Sequence, residues 1–228
     1  MGARDMSGMV LVALLLASLL APSWAEANIL CKWFVLCFYE SPGFRITVVD
    51  KETGKPLADV HALAEWVQYG YHGTNGPLMV QDAASGQDGV LAFAAWGPMR
   101  GSNAGLVLNQ DPVITLFKPG YHTLLINNAP GTNERAQVRG FTQDGQTFQL
   151  EPFRGTIEEW VKELDKAAYP VTARLSGAEQ EGIRAAYLNR KRRVKAELER
   201  LPINRREVEQ LLDALKRSIK FLEGGSSQ

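Results

Sequence analysis

Cysteine and histidine are scarce in this chain, with two Cys and three His in 228 residues. That scarcity excludes a disulfide-dense scaffold and a multi-zinc protein, each of which needs several such side chains. An excess of charge of either sign is absent as well, with 25 Lys+Arg against 25 Asp+Glu. A chain held mainly by nucleic acid or by anionic lipid depends on such an excess, so both classes lose support. One apolar run stands out, Met9–Leu20 (MVLVALLLASLL), and it is shorter than the roughly 20 residues a membrane span requires. The chain has no Gly-x-Ser-x-Gly elbow and no phosphate-binding glycine loop. What remains is an ordinary globular composition, 45% hydrophobic, long enough for one or two domains.

The amino terminus reads as a targeting segment. Arg4 precedes the apolar run, and Ala21-Pro22-Ser23-Trp24-Ala25 follows it with a small-x-small ending. This is the layout of a secretory signal peptide over residues 1–25, cleaved after Ala25 or, as the second choice, Ala27. Lipid anchoring of the bacterial kind needs a small residue before a Cys, whereas Leu30 and Leu36 precede Cys31 and Cys37. The expected location is extracytoplasmic, periplasmic or secreted, with an uncleaved anchor as the alternative. Residues 26–43 then form an apolar segment containing both cysteines. An oxidising compartment favours a Cys31–Cys37 disulfide. Along a strand, however, six residues cover about 20 Å, while bridged Cα atoms lie roughly 5–6 Å apart. A bridge therefore needs the segment to turn back, and two buried thiols is the other reading.

Charge density divides the rest. Residues 26–154 carry 9 basic and 12 acidic side chains in 129, and residues 155–228 carry 15 and 12 in 74. Density more than doubles across Pro152–Gly155, and most Gly and Pro lie before it, which marks a turn-rich sheet region at 44–153 and a helical region at 154–228. In the first region, Arg45–Val49 is rich in β-branched residues and ends in the turn formers Asp50–Pro56. Val60–Val67, Val90–Phe93 after the Asp88-Gly89 turn, Val113–Phe117, Tyr121–Ile126 and Thr147–Leu150 supply further strands. Short strands punctuated by turns predict a mainly β fold, an antiparallel sandwich with an α appendage. Gln68–Gln87 and Gly97–Asp111 read as two long glycine-rich loops.

The second region predicts three helices, each opened by a capping arrangement: Thr156 with Glu159, Ser176 with Glu179, Asn204 with Glu207. Ile183, Tyr187, Val194, Leu198 and Leu201 approach a 3–4 spacing, and Val208, Leu211, Leu212, Leu215, Ile219 and Leu222 keep it more cleanly. Pro202 separates the two runs by a few residues, so they should fold as an antiparallel hairpin. The apolar face of Val208–Leu222 must be covered by the sandwich, by a second copy or by a partner helix.

Ile46–Ala62 (ITVVDKETGKPLADVHA) resembles the carboxypeptidase regulatory-like domain, a transthyretin-like sandwich of about seven strands. The family's strand, Asp, Thr-Gly, Pro-apolar step and second strand correspond here to Asp50, Thr53-Gly54, Pro56-Leu57 and Val60. Its Asp-Gly turn before an aromatic strand residue corresponds to Asp88-Gly89 and Phe93, and its Pro-Gly-Tyr turn to Pro119-Gly120-Tyr121. The likeness spans about Phe44–Asn128. It departs at Asp59, where the family often has Gly, and in the length of Gln68–Gln87. The resemblance implies an immunoglobulin-like topology and an accessory, non-catalytic role, and it defines no active site to carry over.

Chemical candidates are few. His61 and Glu65 share one strand face and with a second His could hold a metal, but a solvated strand face is the plainer reading. His72 and His122 have no motif partner, and a hydrolase site built from the three histidines is a minority alternative, because such sites assemble in space. Trp66, Tyr69 and Tyr71 could stack on a sugar or anchor a peptide, against a reading in which Trp66 simply continues the core. Arg190-Lys191-Arg192-Arg193 points around most of a helix, so it reads as a solvated face and not as a nucleic-acid stripe; peripheral contact with anionic envelope lipid is the alternative. The expectation is an exported, non-enzymatic binding or scaffolding module of the cell envelope. It would need no cofactor, its partner would be a protein or a glycan, and self-association through the C-terminal helices is a further option.

Overall fold

The structure, a computed structural model, describes residues 38–70, 73–101, 106–107, 112–128, 137–169, 181–202 and 205–224. The signal segment, Cys31 and Cys37, Tyr71, His72 and the expected caps Ser176 and Asn204 lie outside these residues, as does the side chain of Tyr69.

The strands are β1 (Phe38–Ser41), β2 (Phe44–Asp50), β3 (His61–Gly70), β4 (Gly73–Ala84), β5 (Val90–Phe93), β6 (Trp96–Arg100), β7 (Leu106–Val107), β8 (Val113–Phe117), β9 (Leu124–Asn127) and β10 (Thr147–Leu150). The helices are α1 (Ile157–Ala168), α2 (Glu181–Leu198) and α3 (Arg206–Leu222). The larger sheet runs β4-β3-β8-β9, with β7 also pairing the far end of β3; the smaller runs β10-β2-β5, and β1 pairs β6. The fold is thus mainly β, with antiparallel sheets and three C-terminal helices. Among the described strands one pairing is parallel: β10 lies beside β2 with Thr147 opposite Thr47.

The two sheets enclose an apolar core. Ile46, Val48, Leu91, Phe93 and Leu150 from the small sheet meet Ala62, Ala64, Trp66, Leu78, Ile114, Leu116 and Ile126 from the large one. Phe44 anchors the end of this layer, stacked on Phe93 at 4.7 Å and tilted against Phe141 at 4.7 Å. Side chains alternate across a strand, so the residues between these core positions face away from it. On β3 and β8 those residues are buried too, because the helical layer covers the second face of the large sheet.

The stretch read as a long loop from Gln68 to Gln87 is a correction: β3 and β4 form a continuous hairpin from His61↔Ala84 to Gly70↔Gly73. Its glycines sit near two register shifts, between Trp66 and Val67 and between Gln68 and Tyr69, where bulges displace the ladder. Gly97–Asp111 likewise contains β7 and all of β6 but its first residue, among its described residues. The turn chemistry matches expectation elsewhere. Asp50 Oδ1 accepts from the amides of Glu52 (2.9 Å) and Thr53 (2.7 Å) and from the Thr53 hydroxyl (2.9 Å). Tyr121 donates its hydroxyl to Asp50 Oδ2 at 2.9 Å, so the Asp-Thr-Gly and Pro-Gly-Tyr turns touch. Asp59 has φ 57, a left-handed conformation in which Gly is otherwise favoured and Asp is tolerated.

Among the helices, α1 carries the expected capping box, with Thr156 and Glu159 bonding each other's backbone amides at 3.3 and 2.8 Å. α3 starts later than its sequence signal: Arg205 is at the cap, without a side-chain cap bond. α2 and α3 form the hairpin, with Leu198 clustered near Val208 at one end and Ile183 near Leu222 at the other. The apolar face of α3 is covered inside the chain by α1 and α2 (Leu164, Val194, Leu198). It is α2 that lies across β3 and β4, while α1 reaches β8.

Candidate functional site

The seam between α2 and the large sheet holds a concentration of polar side chains that strand parity and helix spacing bring together. His61 and Glu65 project from the outer face of β3, on either side of Leu63, and none of the three is exposed by more than 2%. The reading of His61 and Glu65 as a solvated face is therefore overturned, because that face is roofed by α2. Arg190 is 0% and Lys191 4% exposed, so the basic run is not a solvated face either. Its first two members point inward, and Arg192 and Arg193 remain toward solvent.

Arg190 is the hub. Its Nε donates to His61 Nδ1 (2.8 Å), and its Nη2 donates to the carbonyls of His61 (2.9 Å) and Thr115 (2.7 Å). Its Nη1 lies 3.4 Å from the carbonyl of Ala167, and the guanidinium stands over the Phe117 ring at 5.7 Å. Because Arg Nε can only donate, His61 Nδ1 is the acceptor and the ring proton sits on Nε2. That nitrogen faces Asp82 Oδ2 at 3.1 Å, which also accepts from Asn189 at 3.1 Å. Tyr187 donates its hydroxyl to Glu65 Oε1 at 2.7 Å. A neutral imidazole thus links a cation on α2 to a carboxylate on β4.

Burial accounts for the protonation states. Desolvation, against the pull of Asp82 and with the push of Arg190 and Arg193, lowers the His61 pKa to about 4. Desolvation also lowers Arg190 to about 9, with Glu65 and Asp82 opposing it, and it stays charged at neutral pH. Lys191 is lowered to about 8 by burial; its Nζ donates to the carbonyl of Ala168 (3.2 Å) and lies 4.2 Å from the Tyr169 ring centroid. Ala167 and Ala168 are the last residues of α1, whose carbonyls have no partner within their own helix. Arg190 and Lys191 supply donors there and place positive charge at the negative end of the helix dipole.

One cleft borders this seam and a larger one lies apart from it, against α1. The smaller, about 180 Å³, opens over His61 and Phe117 between Asp59, Pro119, Arg193 and Arg200. The larger, about 510 Å³, lies between α1 and the turns around His122 and Pro152, lined by Glu151, Phe153, Arg154, Lys162, Glu163 and Lys166 among others. In it His122 Nδ1 is 3.6 Å from Glu163 Oε1, with its ring edge-on to Phe153 at 5.1 Å. Glu163 accepts from the Thr123 amide (3.0 Å) and from Lys166 Nζ (2.7 Å). Burial pushes the Glu163 carboxyl up, but Lys166, the Thr123 amide and His122 outweigh it, and its pKa ends below the usual value. Glu151 is lowered by its bond and charge pairing with Lys51, 2.6 Å away, and Glu52 pairs with Arg154. Glu163 and Glu151 are thus each paired with a lysine that holds the carboxyl below its usual range.

Of the sequence candidates, Trp66 is fully buried, 5.3 Å edge-on to Trp96 and 6.3 Å from Phe44. Its ring is committed to the core and offers no face to a ligand, which corrects its assignment to a binding surface. Tyr69 is placed by its backbone on β3, opposite Thr74. Among the described residues no group of three or more His, Cys, Asp and Glu is arranged to hold a metal ion, and no helix is long and apolar enough to cross a membrane. Sequence reasoning missed Asp82; it gave Tyr187 only a place on an apolar helix face and put Arg190 and Lys191 on a solvated one.

No family model and no curated protein matches this chain. Among solved structures, the pilus 2b backbone protein of group B streptococcus is similar over 49% of this chain and 41% of its own, at 13% identity and a TM-score of 0.24. The chain thus spans under half the length of that protein, and at such a score the likeness carries no argument about fold or role.

Proposed function

We propose that this chain is an exported, non-enzymatic binding or scaffolding module of the cell envelope, built on a carboxypeptidase regulatory-like sandwich. One observation carries the reading: the chemically versatile groups buried beneath α2 are consumed in fastening a helical layer to a sheet. His61 is held as a neutral bridge, Arg190 and Lys191 finish α1, and Glu65 takes the Tyr187 hydroxyl. The contact between Tyr121 and Asp50 supports the resemblance, since it joins two of the three turns on which that rests. The export half of the proposal rests on the layout of residues 1–25. The alternative of a glycan- or peptide-binding surface loses Trp66 to the core and keeps Tyr69 and Tyr71.

The test is co-sedimentation of the purified chain with isolated cell-wall polymer and with envelope membranes of the native host, with mass spectrometry of the supernatant. Saturable retention with no soluble fragments released supports the proposal. Release of cleaved wall or peptide fragments overturns the non-enzymatic reading, and absence of retention on every envelope fraction overturns the envelope role.

A further inference from the structure

Beyond whatever the sandwich binds, the seam beneath α2 has a property of its own. The contact between Arg190 Nε and His61 Nδ1 (2.8 Å) exists because that nitrogen bears a lone pair. A proton placed there replaces the acceptor with an N–H group facing a guanidinium, so this link across the seam becomes a repulsion. We propose that His61 is an acid-released latch: neutral, it bridges the cation on α2 to the carboxylate on β4, and a second ring proton frees the helical layer from the sandwich.

The charged surroundings favour this direction. α2 contributes Arg190 and Arg193, both of which disfavour the protonated ring, with Asn189 bonded to Asp82. β4 contributes Asp82, which favours it. On β3 itself, Glu65 is turned to Tyr187. From β8 come the Phe117 ring and the Thr115 carbonyl, and from α1 the Ala167 carbonyl, all engaged with Arg190. Asp59, Glu197 and Arg200 line the cleft at the rim. Docked, the ring titrates at about 4; released into water it returns to the ordinary value of 6.5.

The sign follows from the depressed pKa of the docked form. The released form takes up the proton first, so the latch holds fully above about pH 6.5 and weakens progressively as pH falls toward about 4. Asp82, itself lowered from 3.8, adds its own loss only below that value. At pH 4.5 the docked-to-released ratio is expected to be roughly 100-fold lower than at pH 7.5.

The experiment is hydrogen–deuterium exchange on the whole chain between pH 7.5 and 4.5, corrected for intrinsic exchange rates. The expected result is roughly 100-fold loss of protection in α1 and α2 with β2 and β5 still protected, and a flat profile in His61→Asn, which keeps an acceptor for Arg190 and cannot titrate. Unchanged helix protection at pH 4.5, simultaneous loss in both layers, or the same profile in His61→Asn would overturn the latch. Should His61→Asn fail to fold, the wild-type His61 ring resonances decide. A midpoint well below 6 that tracks helix release supports the latch, and one near 6.5 with the helices docked refutes it.

Discussion

The two faces of the large sheet are built from the same strands by opposite chemistry. Toward the small sheet, β3 presents Ala62, Ala64 and Trp66 to aromatic and aliphatic neighbours. Toward the helices it presents His61, Leu63 and Glu65, of which two are polar and all are equally buried. An apolar face is adhesive without being directional, whereas a buried polar face holds only one arrangement, because each donor needs its acceptor in place. The inner face therefore supplies bulk stability and the outer face fixes where the helical layer sits. Fixing it this way makes the outer face sensitive to single atoms and to protons.

Mutations can break this comparison or sharpen it. The largest effect is expected for Trp66→Ala, about 4 kcal/mol, because a fully buried ring leaves a cavity between two sheets that cannot close over it; a global fall in Tm, with both layers melting together, is the check. Arg190→Ala should cost about 3 kcal/mol, since it strands the His61 ring nitrogen and three backbone carbonyls in a buried seam. Here the loss should be local, with exchange rising in α1 and α2 while the sandwich strands stay protected. If Trp66→Ala and Arg190→Ala gave the same exchange pattern, the faces would not differ as described. Tyr187→Phe removes one hydroxyl from Glu65 and should cost about 1–2 kcal/mol by chemical denaturation, with the largest change in α2. Thr156→Ala removes the cap of α1 and should cost about 1 kcal/mol, seen as faster exchange in its first turn with the seam undisturbed.

The inner face was legible in the sequence because it obeys a simple rule. The β-branched run Arg45–Val49, the apolar run Val113–Phe117, and the turn residues Asp50, Gly54, Asp88 and Gly89 give these strands and turns directly. Gly89 shows why such a residue is required, since at φ 71 a Cβ would come within 2.5 Å of the Val48 carbonyl. The outer face was hidden because its buried residues are of the types normally found in water. Two signals were nevertheless present. Leu63 is apolar between His61 and Glu65, which is wasteful on a solvated face. In α2 the apolar spacing Ile183, Tyr187, Val194 and Leu198 skips one turn, and Arg190 fills that gap. The β3–β4 hairpin was obscured by glycines that serve its bulges, and the order of the helical layer, α2 on the sheet and α3 behind it, depends on contacts that no spacing encodes.

The parallel pairing of β10 with β2 bears on how the molecule is made. Partners opposite each other in that ladder are about 100 residues apart in the chain, so β2 waits with one edge open until nearly the whole sandwich has been synthesised. An emerging chain truncated before Thr147 exposes that edge as a template for another strand, and long-range closure of this kind is slow. The β10 strand therefore cannot seal the sandwich until residues 147–150 have emerged.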